Sequence, residues 1–169
     1  MDKTEWNLLI EKMGDRLYNY FLRRGHYQSA ADLTQETYIR LWGYSQEGRV
    51  DKTKGNLESL AFGIAYYVSL EHMKELKSIM LEQSEWDKMI SSENIEETYQ
   101  QRELYFQFYL ALKQLPQVQQ DILTLYMDES LKLEDIAEIM EIPLGTIKNQ
   151  IFRAKEKMKF IFEAKGVSL

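Results

Sequence analysis

Apolar positions recur at three- and four-residue spacing along most of the chain, and the strict alternation that marks a half-buried strand is almost absent. The first such stretch predicts a helix from Glu5 to Arg24, with Leu8, Leu9, Met13, Leu17, Tyr20 and Phe21 on its inner face and Gly25 ending it. A second helix is expected to begin near Ser29 and run through Trp42. Leu33, Thr37, Tyr38 and Leu41 can face inward there, leaving Asp32, Gln35, Glu36 and Arg40 as a polar ridge. A polar loop from Gln46 to Asn56, carrying Arg49, Lys52 and Lys54, precedes a third helix from Leu57 to Lys77.

The pattern then weakens. Residues 81–97 mix Ser, Glu, Gln and Asn with scattered apolar positions, as a flexible connection between two helical modules would. Trp86, Met89 and Ile90 leave open a solvated helix continuing from Glu71. The expected organisation is therefore all-α: a helical domain over 1–80, an acidic linker over 81–97 and a second helical domain over 98–169.

Within the second domain, residues 133–159 contain a short amphipathic helix, a turn and a longer basic helix, in the order of a helix-turn-helix. Glu134 and Asp135 suit the positive end of the first helix, whose apolar side is Ile136, Ala137, Ile139 and Met140. Ala137 is small where the second helix must cross. Pro143 has no amide donor and restrains Ile142, so it is expected to stop that helix at the turn. From Leu144 to Thr146 a new helix starts, with Ile147, Ile151, Ala154 and Met158 as its buried stripe. Lys148, Asn149, Phe152 and Arg153 fall off the stripe, and Lys155, Lys157 and Lys159 continue the basic character. Such cations can neutralise phosphates, while Asn and Arg can hydrogen-bond base edges. An ordinary helical hairpin with solvated lysines has the same pattern, and Phe152 suits either a core or an exposed position.

Composition narrows the possibilities. The 169 residues, 44% of them hydrophobic, suffice for one medium or two small cores. With no cysteine, disulfides and thiolate metal sites are excluded. His26 and His72 lie far apart in sequence without metal-ligand spacing, so packing or surface roles are expected and no metal or cofactor is called for. Neither a signal peptide nor an apolar run long enough to span a bilayer is evident, which points to the cytoplasm. No Gly-rich phosphate loop or nucleophile elbow offers a foothold for catalysis. The net charge of −6 is awkward for a DNA binder, yet it is unevenly placed. Between 78 and 100, Glu82, Glu85, Asp87, Glu93, Glu96 and Glu97 face only Lys88, whereas cations dominate after Leu144.

Three segments in register resemble an extracytoplasmic-function sigma factor of bacterial RNA polymerase: AADLTQETYIRLW from Ala30, LPQVQQDILTLYM from Leu115 and GTIKNQIFRAKEKM from Gly145. The resemblance implies a sigma region 2-like domain for core polymerase and the −10 element, and a region 4-like domain for the −35 element. It assigns Asp32, Gln35, Glu36 and Arg40 to the clamp helices of the β′ subunit. Thr146, Lys148, Asn149, Phe152 and Arg153 take the positions of the −35 contacts, and Ile122, Leu123, Leu125 and Tyr126 are expected to pack under the helix-turn-helix. Core polymerase, including its β flap, promoter DNA and an anti-sigma factor are the implied partners.

Departures from the family pattern fall in the third helix. Such factors carry a Trp near its start, an Asn in its middle and an Arg-rich end. The corresponding positions here are Leu60 and Tyr67, followed by Lys74 and Lys77, with Glu71 in place of an Asp. A Tyr can stack on an extruded base but cannot reproduce the hydrogen bonds of an amide. Gln120 and Gln150 stand where arginines are common and are expected to remove two cations from the phosphate-facing surface. These losses keep a second reading open, a sigma-like decoy or adaptor that binds regulatory proteins with weakened DNA reading.

Overall fold

The computed structural model describes residues 1–50, 56–78 and 99–166, and their side chains except at 77, 78, 99–102 and 105. Seven α-helices and no strand occur among the described residues. They are α1 (Lys3–Arg23), α2 (Ala30–Gln46), α3 (Leu57–Ser78), α4 (Tyr99–Leu112), α5 (Gln117–Tyr126), α6 (Leu133–Met140) and α7 (Leu144–Ala164). The chain divides into two compact units, Met1–Ser92 and Glu93–Leu169. The expected linker at 81–97 lies outside the described residues, as do Lys52 and Lys54 of the polar loop.

In the first unit, α1 opens with a capping box: the Asp2 carboxylate accepts from the Glu5 amide at 2.8 Å, and Glu5 accepts from the Asp2 amide at 3.2 Å. It closes at Gly25, whose φ of 86° is cheap only for glycine and lets the His26 amide turn back onto the Phe21 carbonyl at 2.9 Å. Leu9, Met13, Leu17, Tyr20 and Phe21 are buried as the spacing predicts, against Leu33 and Leu41 of α2 and Ala61, Phe62, Ile64, Ala65 and Val68 of α3. Leu8 is the exception at 61% exposed. Its neighbour Leu9 takes the inward direction at this end of the helix. Full burial of a Leu, Ile or Phe contributes about 1.5–3 kcal/mol, so this core outweighs any single polar pair at the surface. Thr37, fully buried, returns its hydroxyl to the Leu33 carbonyl at 2.8 Å and leaves no polar group stranded.

Two cations of α1, Lys12 and Arg16, converge on Glu58 in the first turn of α3. Arg16 Nη1 lies 2.6 Å from Glu58 Oε2, and Lys12 Nζ bonds the other oxygen. Partial burial works to raise this carboxyl, but the two hydrogen bonds outweigh it and hold the group below the ordinary carboxylate range.

The second unit has its own core of Ala111, Leu112, Leu115, Leu123, Ala154, Met158, Ile161 and Phe162, with Phe108 and Tyr126 packed against it. Ile122 and Leu125 of α5 and Ile136 of α6 are also fully buried. The expected packing of α5 beneath the two following helices is present, since α5 touches both α6 and α7.

Candidate nucleic-acid interface

The turn between α6 and α7 is built differently from the expected proline stop. Helix α6 begins with the Lys132 amide donating to the Asp135 carboxylate at 2.9 Å, and Glu134 and Asp135 occupy its first turn. It ends at Met140, before proline can act, because Glu141 adopts the left-handed conformation at φ 55°, ψ 40°. That twist allows the Ile142 amide to reach the Ala137 carbonyl at 3.0 Å. Pro143 serves instead as the N-cap of α7, where its missing amide costs nothing and its carbonyl accepts from Ile147 at 3.0 Å.

From that start α7 divides cleanly. Ile147, Ile151, Ala154, Met158, Ile161 and Phe162 are buried, while Thr146, Lys148, Asn149, Phe152 and Arg153 are all exposed. At 67% exposed, Phe152 is a surface residue, so the core alternative for it is set aside. An apolar ring of this size held in water among cations can meet a thymine methyl or a sugar. Lys148 and Arg153 make no hydrogen bond or ion pair among the described residues. Lys155 is differently placed, donating to the Tyr126 hydroxyl at 2.7 Å with its ammonium 4.3 Å from the ring centroid.

Gln120 and Gln150 both hold structural hydrogen bonds. Gln120 is buried and donates to the Leu115 carbonyl at 2.8 Å, holding the loop that leads into α5. Gln150, half-buried, accepts from Gln119 Nε2 at 3.0 Å. Both tie neighbouring segments together, and burial removes Gln120 from the surface that the expectation placed it on.

In the first unit, Leu60, Tyr67 and Lys74 of α3 lie two helical turns apart from one another and so fall along one line. Leu60 is half-buried, Tyr67 is 51% exposed and Lys74 is exposed. The neighbouring ring of Tyr66 lies 5.5 Å away and limits the directions open to Tyr67. Glu71 belongs to the same line, between Tyr67 and Lys74, and bonds Arg40 Nη2 of α2 at 2.6 Å. Arg40 also holds Glu36 through Nε at 2.8 Å. The Arg40 hydrogen bond keeps the Glu71 carboxyl below its ordinary range, and the two carboxylates raise the guanidinium. Lys77 is within α3, but its side chain lies outside the described set.

The ridge on α2 is present, with Asp32 and Gln35 exposed and Glu36 and Arg40 half-buried. Ile39 stands in line with it at 65% exposed. Its apolar character left it out of the expected polar ridge, although its three-residue spacing from Glu36 and four-residue spacing from Gln35 place it there.

His26 and His72, distant in sequence, meet edge to face at 5.0 Å. His26 is buried, its Nε2 2.8 Å from Ser69 Oγ, which also accepts from Arg24 Nε at 3.1 Å. The pair joins the end of α1 to α3, a packing role. No group of three or more His, Asp or Glu side chains arranged to hold a metal occurs among the described residues.

The comparisons with known proteins agree with this geometry. Residues 105–158 match the family described as sigma-70, region 4. The ECF RNA polymerase sigma factor SigE of Mycolicibacterium smegmatis is 27% identical over 158 residues, covering 91% of this chain and 60% of that protein. The RNA polymerase sigma-H factor of Pseudomonas aeruginosa is 27% identical over 166 residues, covering 92% of this chain and 84% of its own. In structure, the sigma factor RpoE of Bartonella quintana, solved with the anti-sigma factor NepR, superposes with a TM-score of 0.69 at 18% identity, over 94% of this chain and 97% of that one. The fold is therefore that of sigma factors, and residues 105–158 carry a sigma-70 region 4 domain. Over most of its length the chain is similar to extracytoplasmic-function sigma factors.

Proposed function

We propose that the chain is an alternative sigma factor: it binds core RNA polymerase and directs promoter-specific initiation, under the control of an anti-sigma factor. The observation that carries this reading is the division of α7, where every expected −35 contact is exposed and every expected stripe residue is buried. In this reading the helix-turn-helix lays Thr146, Lys148, Asn149, Phe152 and Arg153 into the major groove of the −35 element. Lys148 and Arg153 supply charge and hydrogen bonds, and Phe152 an apolar contact. Tyr67 stacks on an extruded base of the −10 element, with Leu60 and Lys74 beside it. Asp32, Gln35, Glu36 and Arg40 dock on the β′ clamp helices, and the second unit, 98–169, reaches the β flap. The two domains, 1–80 and 98–169, would grip the two promoter elements through the 81–97 tether.

Regulation by an anti-sigma factor is supported by the Bartonella relative, whose structure is of such a complex. The protein would work in the cytoplasm without catalysing a reaction of its own. No described helix is long and apolar enough to cross a membrane.

The decoy reading retains one specific support. Glu71 places a carboxylate in the line of α3 meant for DNA, between Tyr67 and Lys74. Run-off transcription with core polymerase over a library of genomic fragments tests the two. Transcription from a defined set of promoters is expected; intact core binding with no promoter used across a broad library would favour the decoy.

A further inference from the structure

The outward face of α2 contains a glycine that no described neighbour requires. Gly43 sits in the last turns of the helix, four residues after Ile39. Its φ is not among the positive ones, and a Cβ built on it meets nothing within 4 Å. Gly14 of α1 differs, since a Cβ there would come to 3.7 Å from the Tyr38 hydroxyl. Glycine is among the poorest helix formers, and alanine in its place would favour the helix. With no turn and no close neighbour among the described residues to require it, the open backbone at Gly43 suits a close approach from outside.

What lies beside that opening points to the visitor. Ile39 projects one helical turn before it at 65% exposed. Trp42, 39% exposed, stands next to both and is braced edge-on by Trp6 of α1 at 5.0 Å, which itself meets Tyr38 at 6.0 Å. The indole is therefore held in place before anything binds. Around this apolar centre run Asp32, Gln35 and Glu36, and the one cation of the ridge, Arg40, is already engaged by two carboxylates. A rigid apolar centre inside an acidic rim has the anatomy of a specific protein interface. A projecting Ile followed one turn later by a missing side chain forms a ridge and a gap, the shape into which another helix packs.

We infer that Ile39 and Gly43 are the affinity-determining centre of the polymerase-docking face: Ile39 inserts against, and Gly43 admits, a basic helix of core polymerase, with Trp42 as a fixed wall. This rests on the reading of the α2 ridge as the docking face, and it adds to the four polar residues of that ridge two that carry no polar group.

The test uses the full chain and core polymerase, with three variants: Gly43→Ala, Ile39→Ala and Asp32→Ala. Gly43→Ala is expected to leave Tm unchanged or raise it while weakening core binding by about tenfold, since helix preference and interface fit then pull in opposite directions. Ile39→Ala, at an exposed site, should keep Tm and also lose about tenfold in affinity. Asp32→Ala reports on the ridge separately. If it weakens binding and the other two bind like the parent chain, the ridge is the docking face and the assignment of its centre is wrong. If all three bind like the parent, both fall together. Helical content measured by circular dichroism shows whether any loss comes from unfolding.

Discussion

Arg40 of α2 and Glu71 of α3 hold each other at 2.6 Å, joining the helix assigned to polymerase docking to the helix assigned to the −10 element. Arg40 reaches Glu36 at the same time, so one guanidinium is shared between two carboxylates on two helices. Glu71 therefore presents a paired rather than a free negative charge in the line of Tyr67 and Lys74, although one guanidinium cannot offset both carboxylates.

Breaking that pair should be felt at the promoter more than in stability. Both partners are substantially exposed, and such pairs contribute about 0.2–1 kcal/mol to folding. Arg40→Ala is expected to slow open-complex formation, most strongly at low salt, because it leaves a bare carboxylate beside the melted strand. Adding Glu71→Ala should restore part of the rate. A permanganate footprint of the four proteins of this cycle measures it, and additive losses would show that Glu71 does not face the DNA.

Glu58 predicts a pH dependence. Its carboxyl is held below the ordinary glutamate value of 4.5 in the fold, so the stabilisation is fully present above that value and is lost as pH falls through the depressed one. Glu58→Gln should cost about 1–2 kcal/mol at neutral pH, through weakened bonds from Lys12 and Arg16. The two proteins should converge in stability as the solution is acidified into the folded-state titration. Urea unfolding curves at several pH values between neutral and acid would show it; a gap that does not change would mean the pair contributes nothing.

Glu141 stores strain at the turn of the helix-turn-helix. A side chain at φ 55° is disfavoured, and glycine is not, so Glu141→Gly should raise stability by about 0.5–1 kcal/mol after glycine's entropic cost. Thermal unfolding of residues 93–169 within the full chain, followed by amide exchange on α6 and α7, reads the gain.

On α7 the exposed cations should differ from the tethered one. Lys148→Ala and Arg153→Ala are each expected to weaken binding to a promoter fragment and to reduce the slope of log affinity against log salt by about one for each phosphate that is no longer neutralised. Core binding should not change. Lys155, anchored to Tyr126, should instead show its effect in the stability of the second unit. Equal loss of core and promoter binding in the Lys148 and Arg153 variants would mean that the recognition face is misplaced.

Tyr67 should act through its ring. Tyr67→Phe is expected to melt promoters as the parent does, while Tyr67→Ala should lose about 1–3 kcal/mol of single-strand affinity. Fluorescence titration with a single-stranded −10 oligonucleotide separates the two, and a Phe variant as weak as Ala would make the hydroxyl the important group.

The helical class, the inner faces of α1 apart from Leu8, of α2 and of α7, and the exposure of the polar positions of α7 were legible in the order of residues. Each depends on a period of 3.6 within one helix, and that period is written locally. Lys148, Phe152 and Arg153 could be placed opposite Ile147, Ile151 and Ala154 without knowing what the helix packs against. Relationships between helices carry no such period. Gln120 looked like a lost cation and is a buried strut to Leu115; Pro143 looked like a stop and is a start, because Glu141 had already turned the chain. His26 with His72, Arg40 with Glu71, Glu58 with Lys12 and Arg16, and Trp6 against Trp42 arise only when packing brings separate segments within a few ångströms. The physical reason is that hydrophobic periodicity specifies which face of a helix is buried, whereas the partner on that face, and the groups stranded at its edge, follow from how the buried faces fit together.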